Sequence, residues 1–129
     1  MGTLPNGVKE MAEVEKIEES LEKIEKQFHK HGLWRRPEGR PPEVRILNNW
    51  DDKEREIAKI LNRIFYVRSL PACTHMFGEA RDSATFAFTH DCKTTRDKIE
   101  FVRVQLNQLI SDLAMLPKLD RTSMIRIEN

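Results

Sequence analysis

Three stretches of the chain place apolar residues at the spacing of an α-helix. In the first, residues three and four apart form one stripe: Val14, Ile17, Leu21, Ile24 and Phe28. Glutamate and lysine fill most positions between them, and Gly32 follows as a stop signal. The pattern predicts an amphipathic helix whose stripe either packs on its own domain or forms a seam with a partner helix.

Two more helices are predicted further along the chain, and a proline follows each of them. Asp51 or Asp52 caps the first, whose apolar face consists of Ile57, Ile60, Leu61, Ile64 and Phe65. Thr94 or Thr95 caps the second, whose inward face consists of Ile99, Val102, Leu106, Leu109, Ile110 and Leu113.

Strict alternation, a different pattern, runs through residues 84–92. One face would carry Ala84, Phe86, Phe88, His90 and Cys92, which is typical of a half-buried strand. Just before it, Cys73, His75 and Phe77 share a face. Antiparallel pairing predicts a hairpin that sets Phe77 by Phe88, His75 by His90 and Cys73 by Cys92. The stretch EVRILNNW (43–50) predicts a further short strand.

The predicted hairpin brings both cysteines and two of the four histidines of the chain to one face. Cys73, His75, His90 and Cys92 would offer four ligands to tetrahedral zinc, or the two cysteines would form a cross-strand disulfide. The third alternative is a half-buried face of thiols and imidazoles. We expect this third alternative and no metal, because structural zinc sites more often use C-x2-C spacing and a reducing compartment favours thiols.

An irregular loop is predicted at RRPEGRPP (35–42), which holds three prolines and a glycine. Its arginines, Arg35, Arg36 and Arg40, are either solvated or form a site for an anion or a partner protein. Trp34 beside the loop is either a packing aromatic or a binding anchor.

Composition restricts the function without naming it. The 129 residues suit one domain, with a flexible N-terminus at 1–7, a folded part at 8–116 and a C-terminal tail at 117–129. The net charge of +1, from 22 basic and 21 acidic residues, favours neither a nucleic acid nor a membrane as partner. No apolar leader is visible, so we expect a cytoplasmic protein.

Four short stretches resemble the pterin-4a-carbinolamine dehydratase family in order and spacing. They are HGLWRRPEGR (31–40), EVRILNNWDDKE (43–54), FTHDC (88–92) and TTRD (94–97). The element order by itself suggests an α+β fold with helices on an antiparallel sheet. The resemblance implies the family's α-β-β-α-β-β-α order, a four-stranded antiparallel sheet with three helices on one face.

The chain departs from the family at its catalytic histidines. Active members carry a His-His-Pro motif, where this chain reads PACTHMF, and only His90 matches a catalytic histidine by motif. Dehydration needs an acid and a base on opposite sides of the departing hydroxyl, so we expect no dehydratase activity and no cofactor. His75, His90 and Cys73 would then be relics of an active site.

A degenerate member resembles the dehydratase-like Rubisco assembly factors of the alpha-carboxysome. This resemblance implies a non-catalytic, homodimeric chaperone of carbon-fixing bacteria whose partner is the Rubisco large subunit. The implied location is the cytoplasm, with association with the carboxysome as an option. The expected partner-binding residues are Arg35, Arg36, Arg40 and Trp34. Two alternatives stay open: an active or altered dehydratase, and a helical protein-interaction adaptor.

Overall fold

The computed structural model describes residues 6–74 and 81–128, and these residues contain no β-strand. Their regular elements are α1 (Asn6–Lys30), α2 (Asp52–Arg68), α3 (Arg81–His90), α4 (Thr95–Leu113) and a 3-10 turn (Arg121–Ser123). The predicted α+β fold with a four-stranded sheet is therefore wrong. The described chain is helical.

The predicted hairpin fails because residues 81–90 are a helix. Ala84 and Phe88 are four residues apart and both contact the core, so the alternating pattern also contains a helical one. Cys73 lies in the turn after α2, and His75 and Phe77 lie outside the described residues. Residues 81–90 therefore offer no strand for the predicted cross-strand pairing.

The predicted strand at 43–50 is irregular backbone. Its Val44 exchanges hydrogen bonds with a side chain of α2, Asn62, instead of with a neighbouring strand.

Helix α1 buries the predicted stripe inside its own domain. The buried residues of the stripe are Ile17, Leu21, Ile24 and Phe28. The stripe therefore packs on its own domain, which was the first of the two alternatives. Gly32 has a φ of 69°, and the amide of Leu33 donates to the carbonyl of Phe28 at 2.8 Å, while that of Gly32 donates to His29 at 3.2 Å. This pair of bonds is a Schellman motif, which satisfies the last carbonyls of the helix.

Helices α2 and α4 begin at caps that the sequence predicted. Asp51 accepts a hydrogen bond from the amide of Glu54, whose side chain accepts from the amide of Asp51 in return, forming a capping box. Thr94 accepts from the amide of Asp97 at 3.0 Å. All the residues predicted for the inward faces of these two helices are buried.

The three long helices run parallel. Near their N-terminal ends, Lys53 pairs with Glu10, and Arg96 pairs with Glu13. Towards the other end of α1, Glu25 pairs with Arg63 of α2. Chain numbers thus rise in the same direction along all three helices, so the connections between them must travel back along the bundle.

One of these return connections contains α3, which is attached to the core through Phe88. Its ring meets Trp50 edge-on, with ring centroids 5.8 Å apart, and lies at the same distance from Phe101 of α4. The other connection, residues 31–51, covers α1 and α2. None of the described helices is long and apolar enough to cross a membrane.

The C-terminal tail contains the 3-10 turn and otherwise irregular backbone. It is joined to α1, because Gln27 accepts a hydrogen bond from the amide of Asp120 at 2.6 Å and donates to Ser123. It is also joined to α4 at Asn107 and Arg103, which both bond to Ile127.

Candidate functional site

Residues 31–51 lie along the bundle because α2 holds them at two points. Asn62 donates to the carbonyl of Val44 at 3.1 Å and accepts from its amide at 2.6 Å. Arg55 donates to the carbonyl of Asn48 at 3.1 Å. Prolines in this segment cannot donate a backbone hydrogen bond, so side chains of the neighbouring helix fix its path.

Three aromatic rings, one from this segment and two from the helices, stack in a row. The ring of Trp34 lies 4.5 Å from that of His29 at the end of α1, with 20° between their planes. Its other neighbour is Tyr66 of α2, 5.4 Å away and tilted by 32°. Trp34 is half-buried, so its ring both packs on the bundle and reaches the surface.

A groove of about 470 Å³ opens beside this row, between the helices and residues 31–51, which we call the proline segment. Its wall is largely apolar and contains Trp34, Tyr66, Pro41 and Pro42. Arg40 and Glu43 line it as well, and we call this feature the aromatic groove. Apolar walls with a few charged groups are typical of binding sites.

The four expected partner-binding residues are distributed unevenly around the aromatic groove. Trp34 and Arg40 line it together, whereas Arg35 and Arg36 are exposed on the segment between them. Arg35 also donates to the carbonyl of Gly32 at 3.3 Å, which ties its side chain to the end of α1. Two of the four residues that the sequence suggested thus lie at this groove, together with helix residues that it did not suggest.

Arg63 and Glu25 form the helical wall of the aromatic groove, and sequence reasoning missed both. The guanidinium of Arg63 donates to both carboxylate oxygens of Glu25, at 2.6 and 3.3 Å, and to Glu18 at 3.1 Å. The hydrogen bonds that Arg63 donates to Glu25 raise the pKa of Arg63, and burial opposes that effect. The sequence does show Glu18 and Glu25 seven residues apart on α1, a spacing that places both carboxylates on one side of the helix. Only the fold shows that Arg63 is the arginine they contact.

The residues that the resemblance suggested as relics of an active site do not form a catalytic group in the part of the chain that the structure describes. Cys73 is buried, and burial raises the pKa of its thiol to about 12, so the thiolate that reacts as a nucleophile is scarce. His90 lies exposed on α3, stacked on Phe86 at 4.8 Å, with its Nδ1 atom 3.3 Å from Asp91. His75 lies outside the described residues.

The two cysteines are free thiols and both are buried. Burial also raises the pKa of Cys92. Within residues 6–74 and 81–128, no three histidine, cysteine or acidic side chains are grouped closely enough to hold a metal ion. The hairpin geometry that suggested zinc or a disulfide is therefore replaced by two separate buried thiols.

Comparison with known proteins identifies no relative: no family model, no curated protein and no solved structure matches the chain. The function has to be inferred from the groove and its surroundings.

Proposed function

We propose that this protein is a helical protein-interaction adaptor. Its aromatic groove binds a segment of a partner protein that is acidic and carries a bulky apolar side chain. The observation that carries the proposal is the shared position of Trp34, Tyr66, Pro41 and Arg40 on one open groove. The side chains of tryptophan, tyrosine and arginine are enriched where protein interfaces gain most of their binding energy.

Charge on the proline segment favours an acidic partner. Between residues 31 and 50 the chain carries four arginines against two glutamates, and Arg35, Arg36 and Arg40 are exposed. Arginine recognises carboxylates through two parallel hydrogen bonds. On the opposite wall, Arg63 is already paired with glutamates, so the positive charge available to a partner comes from the segment.

A helical framework supports the adaptor alternative better than the dehydratase-like one. The resemblance to the dehydratase family implied a sheet, and the described residues contain none. Nothing in the structure or the comparisons supports Rubisco, a homodimer or a carboxysome location. We therefore define the partner by its chemistry, an acidic segment with a bulky apolar side chain.

Selection from a library of random displayed peptides tests the proposal. We expect the enriched peptides to carry acidic residues beside an aromatic or large aliphatic residue, and to bind more weakly as salt is raised. Trp34→Ala, and separately the triple change of Arg35, Arg36 and Arg40 to alanine, should each weaken binding about tenfold or more, which is at least about 1.4 kcal/mol.

The matched control is the double variant Lys118→Ala/Arg121→Ala, which removes exposed positive charge far along the chain from the groove. It should bind the selected peptides as the unmodified chain does. In nuclear magnetic resonance spectra, the indole N–H signal of Trp34 should shift on binding, while that of buried Trp50 should not. Peptides that bind equally well to the Trp34→Ala variant would refute the groove as the docking site.

A further inference from the structure

A second groove, between α1 and α4, is occupied by the C-terminal tail of the chain itself. Asn107 on α4 is only 4% exposed, and its amide holds Ile127 through two hydrogen bonds of 2.8 Å, one to the carbonyl and one from the amide. Arg103 donates to the same carbonyl at 3.3 Å. These contacts bind the backbone of Ile127 and do not depend on its side chain.

Two side chains of the tail, three residues apart, anchor it to the bundle. Met124 is buried, and Ile127 is half-buried against the core. Between them, Ile125 is 70% exposed, and Arg126 reaches Ser111 on the surface of α4 at 3.1 Å. The groove thus selects apolar side chains at the first and fourth positions of an irregular segment.

The tail covers the α4 side of this groove more completely than the α1 side. A space of about 300 Å³ remains between the tail and α1, lined on the helix by Lys16, Glu19, Ser20 and Lys23. The hydroxyl oxygen of Ser20 is buried there and has no hydrogen-bond partner. A buried polar group without a partner costs about 1–3 kcal/mol, so a ligand that reaches Ser20 would gain what the tail does not.

Charge in that space favours a carboxylate. On the helix, Lys16 and Lys23 stand on either side of Ser20 against the single acid Glu19. The tail itself contributes one charge of each sign to the lining, Arg126 and Glu128. A hydroxyl can donate to a carboxylate, and two nearby lysines stabilise its charge.

The bidentate asparagine clamp occurs twice in the structure, which indicates a defined mode of recognition. On α2, Asn62 holds Val44 through the same pair of backbone hydrogen bonds that Asn107 makes to Ile127. In both places a helix side chain holds the backbone of an irregular segment against the bundle.

We infer that the groove between α1 and α4 is a docking site for a short non-helical segment of a partner protein. The partner segment carries two apolar residues three positions apart and a carboxylate directed at Ser20 between Lys16 and Lys23. The tail segment Met124–Glu128 is a self-ligand that competes with it. This site is separate from the aromatic groove and gives the chain a second docking surface.

A fluorescent synthetic peptide of residues 120–128, DRTSMIRIE, tests the site with the full-length chain. The double variant Met124→Asp/Ile127→Asp should release the tail and expose the groove, so it should bind the peptide at least about tenfold more tightly than the unmodified chain. Met115→Asp is the control, because Met115 is 77% exposed and does not line this space, and it should leave peptide binding unchanged.

Three further results define the chemistry of the site. A peptide with glutamate 128 replaced by lysine should bind the double variant more weakly, as should the original peptide to a variant that adds Lys16→Glu and Lys23→Glu. Trp34→Ala should have no effect, which separates this site from the aromatic groove. A folded double variant that binds the peptide no more tightly than the unmodified chain would overturn the inference.

Hydrogen exchange of the unmodified chain keeps the inference testable if the double variant does not fold. Because displacement requires the tail to leave the groove, the amide of Ile127 should exchange by local opening, faster than the amide of Leu106 in the core. Equal protection of these two amides would show that the tail leaves only on global unfolding and would also overturn the inference.

Discussion

The Nζ atom of Lys98 lies 2.9 Å from a carboxylate oxygen of Glu54, and the lysine side chain is 3% exposed. This ion pair joins the first turns of α4 and α2. The same ammonium donates to the carbonyl of Cys92 at 2.9 Å and lies 5.3 Å from the centre of the Trp50 ring. Because Glu54 also completes the capping box of α2, one carboxylate connects a helix start to the neighbouring helix.

Glu54→Ala should destabilise the fold by about 3 kcal/mol or more, because it leaves the buried ammonium of Lys98 without its counter-charge. Urea unfolding followed by circular dichroism measures the change. Glu56→Ala is the control, since Glu56 pairs with Lys59 on the surface and should contribute less than about 1 kcal/mol. Equal losses in the two variants would contradict a structural role for the buried pair.

Gly32→Ala should lower the free energy of unfolding by about 1–2 kcal/mol, because the φ of 69° at this position is unfavourable for a residue with a Cβ atom. The added Cβ meets no atom within 4 Å, so the loss would come from the backbone. Gly39→Ala, also in open space but without a positive φ, should change stability little. Thermal unfolding followed by circular dichroism measures both changes. A larger drop in the melting temperature for Gly39→Ala than for Gly32→Ala would contradict this prediction.

Cys73 should react very slowly with a thiol reagent at pH 8 in the native protein and rapidly in denaturant. Burial raises the pKa of its thiol to about 12 from 9.0, so little thiolate is present and the reagent has no access. Ellman's reagent measures both rates. Fast labelling of Cys73 in a Cys92→Ser variant without denaturant would contradict this burial.

The same pKa shift predicts how stability changes with pH. Below about pH 9 both the folded and unfolded states carry the protonated thiol, so its contribution to stability is fully present there. Above that pH only the unfolded state releases the proton, and the free energy of unfolding falls as pH rises towards 12. Cys73→Ala should show a smaller fall between pH 8 and 10.5 in urea titrations, and an identical fall would reject the assignment to this thiol.

Asn62→Ala should release the proline segment from α2 and cost about 1–3 kcal/mol, because the amide and carbonyl of Val44 lose their partners. Hydrogen exchange at the amide of Val44 should speed up more than exchange in the helices. Asn49→Ala, at an exposed position, is the control. Unchanged protection of Val44 in the Asn62→Ala variant would show that other contacts hold the segment.

The helices predicted by sequence were those whose apolar pattern extends over several turns. The stripe from Ile17 to Phe28 and the faces of α2 and α4 repeat often enough to identify a helix, and Asp51 and Thr94 mark two of the starts. Residues 84–92 failed because nine residues contain too few repeats to separate period 2 from period 3.6. There, Ala84 and Phe88 pack on the core whereas Phe86 is 63% exposed, which follows the period of a helix and not that of a strand.

The candidate site was predictable only on the chain segment where its residues are consecutive. Arg35, Arg36 and Arg40 stand within six residues, and proline makes that stretch irregular by local chemistry. Tyr66 and Arg63 reach the same groove from another helix, and their positions depend on the parallel packing of α1 and α2. No local pattern in the sequence encodes that packing.

Parallel packing also determines how the chain must fold. An antiparallel pair of helices forms contacts next to a short turn, but here Lys53 meets Glu10 across 43 residues and Arg63 meets Glu25 across 38. Each doubling of the closed loop adds only about 0.6 kcal/mol of entropy, so stability is little affected. Folding rates, however, fall as contacts become more distant in sequence. The bundle should therefore fold more slowly than an up-and-down helical bundle of equal size and stability, and its transition state must bring together helices that no tight turn connects.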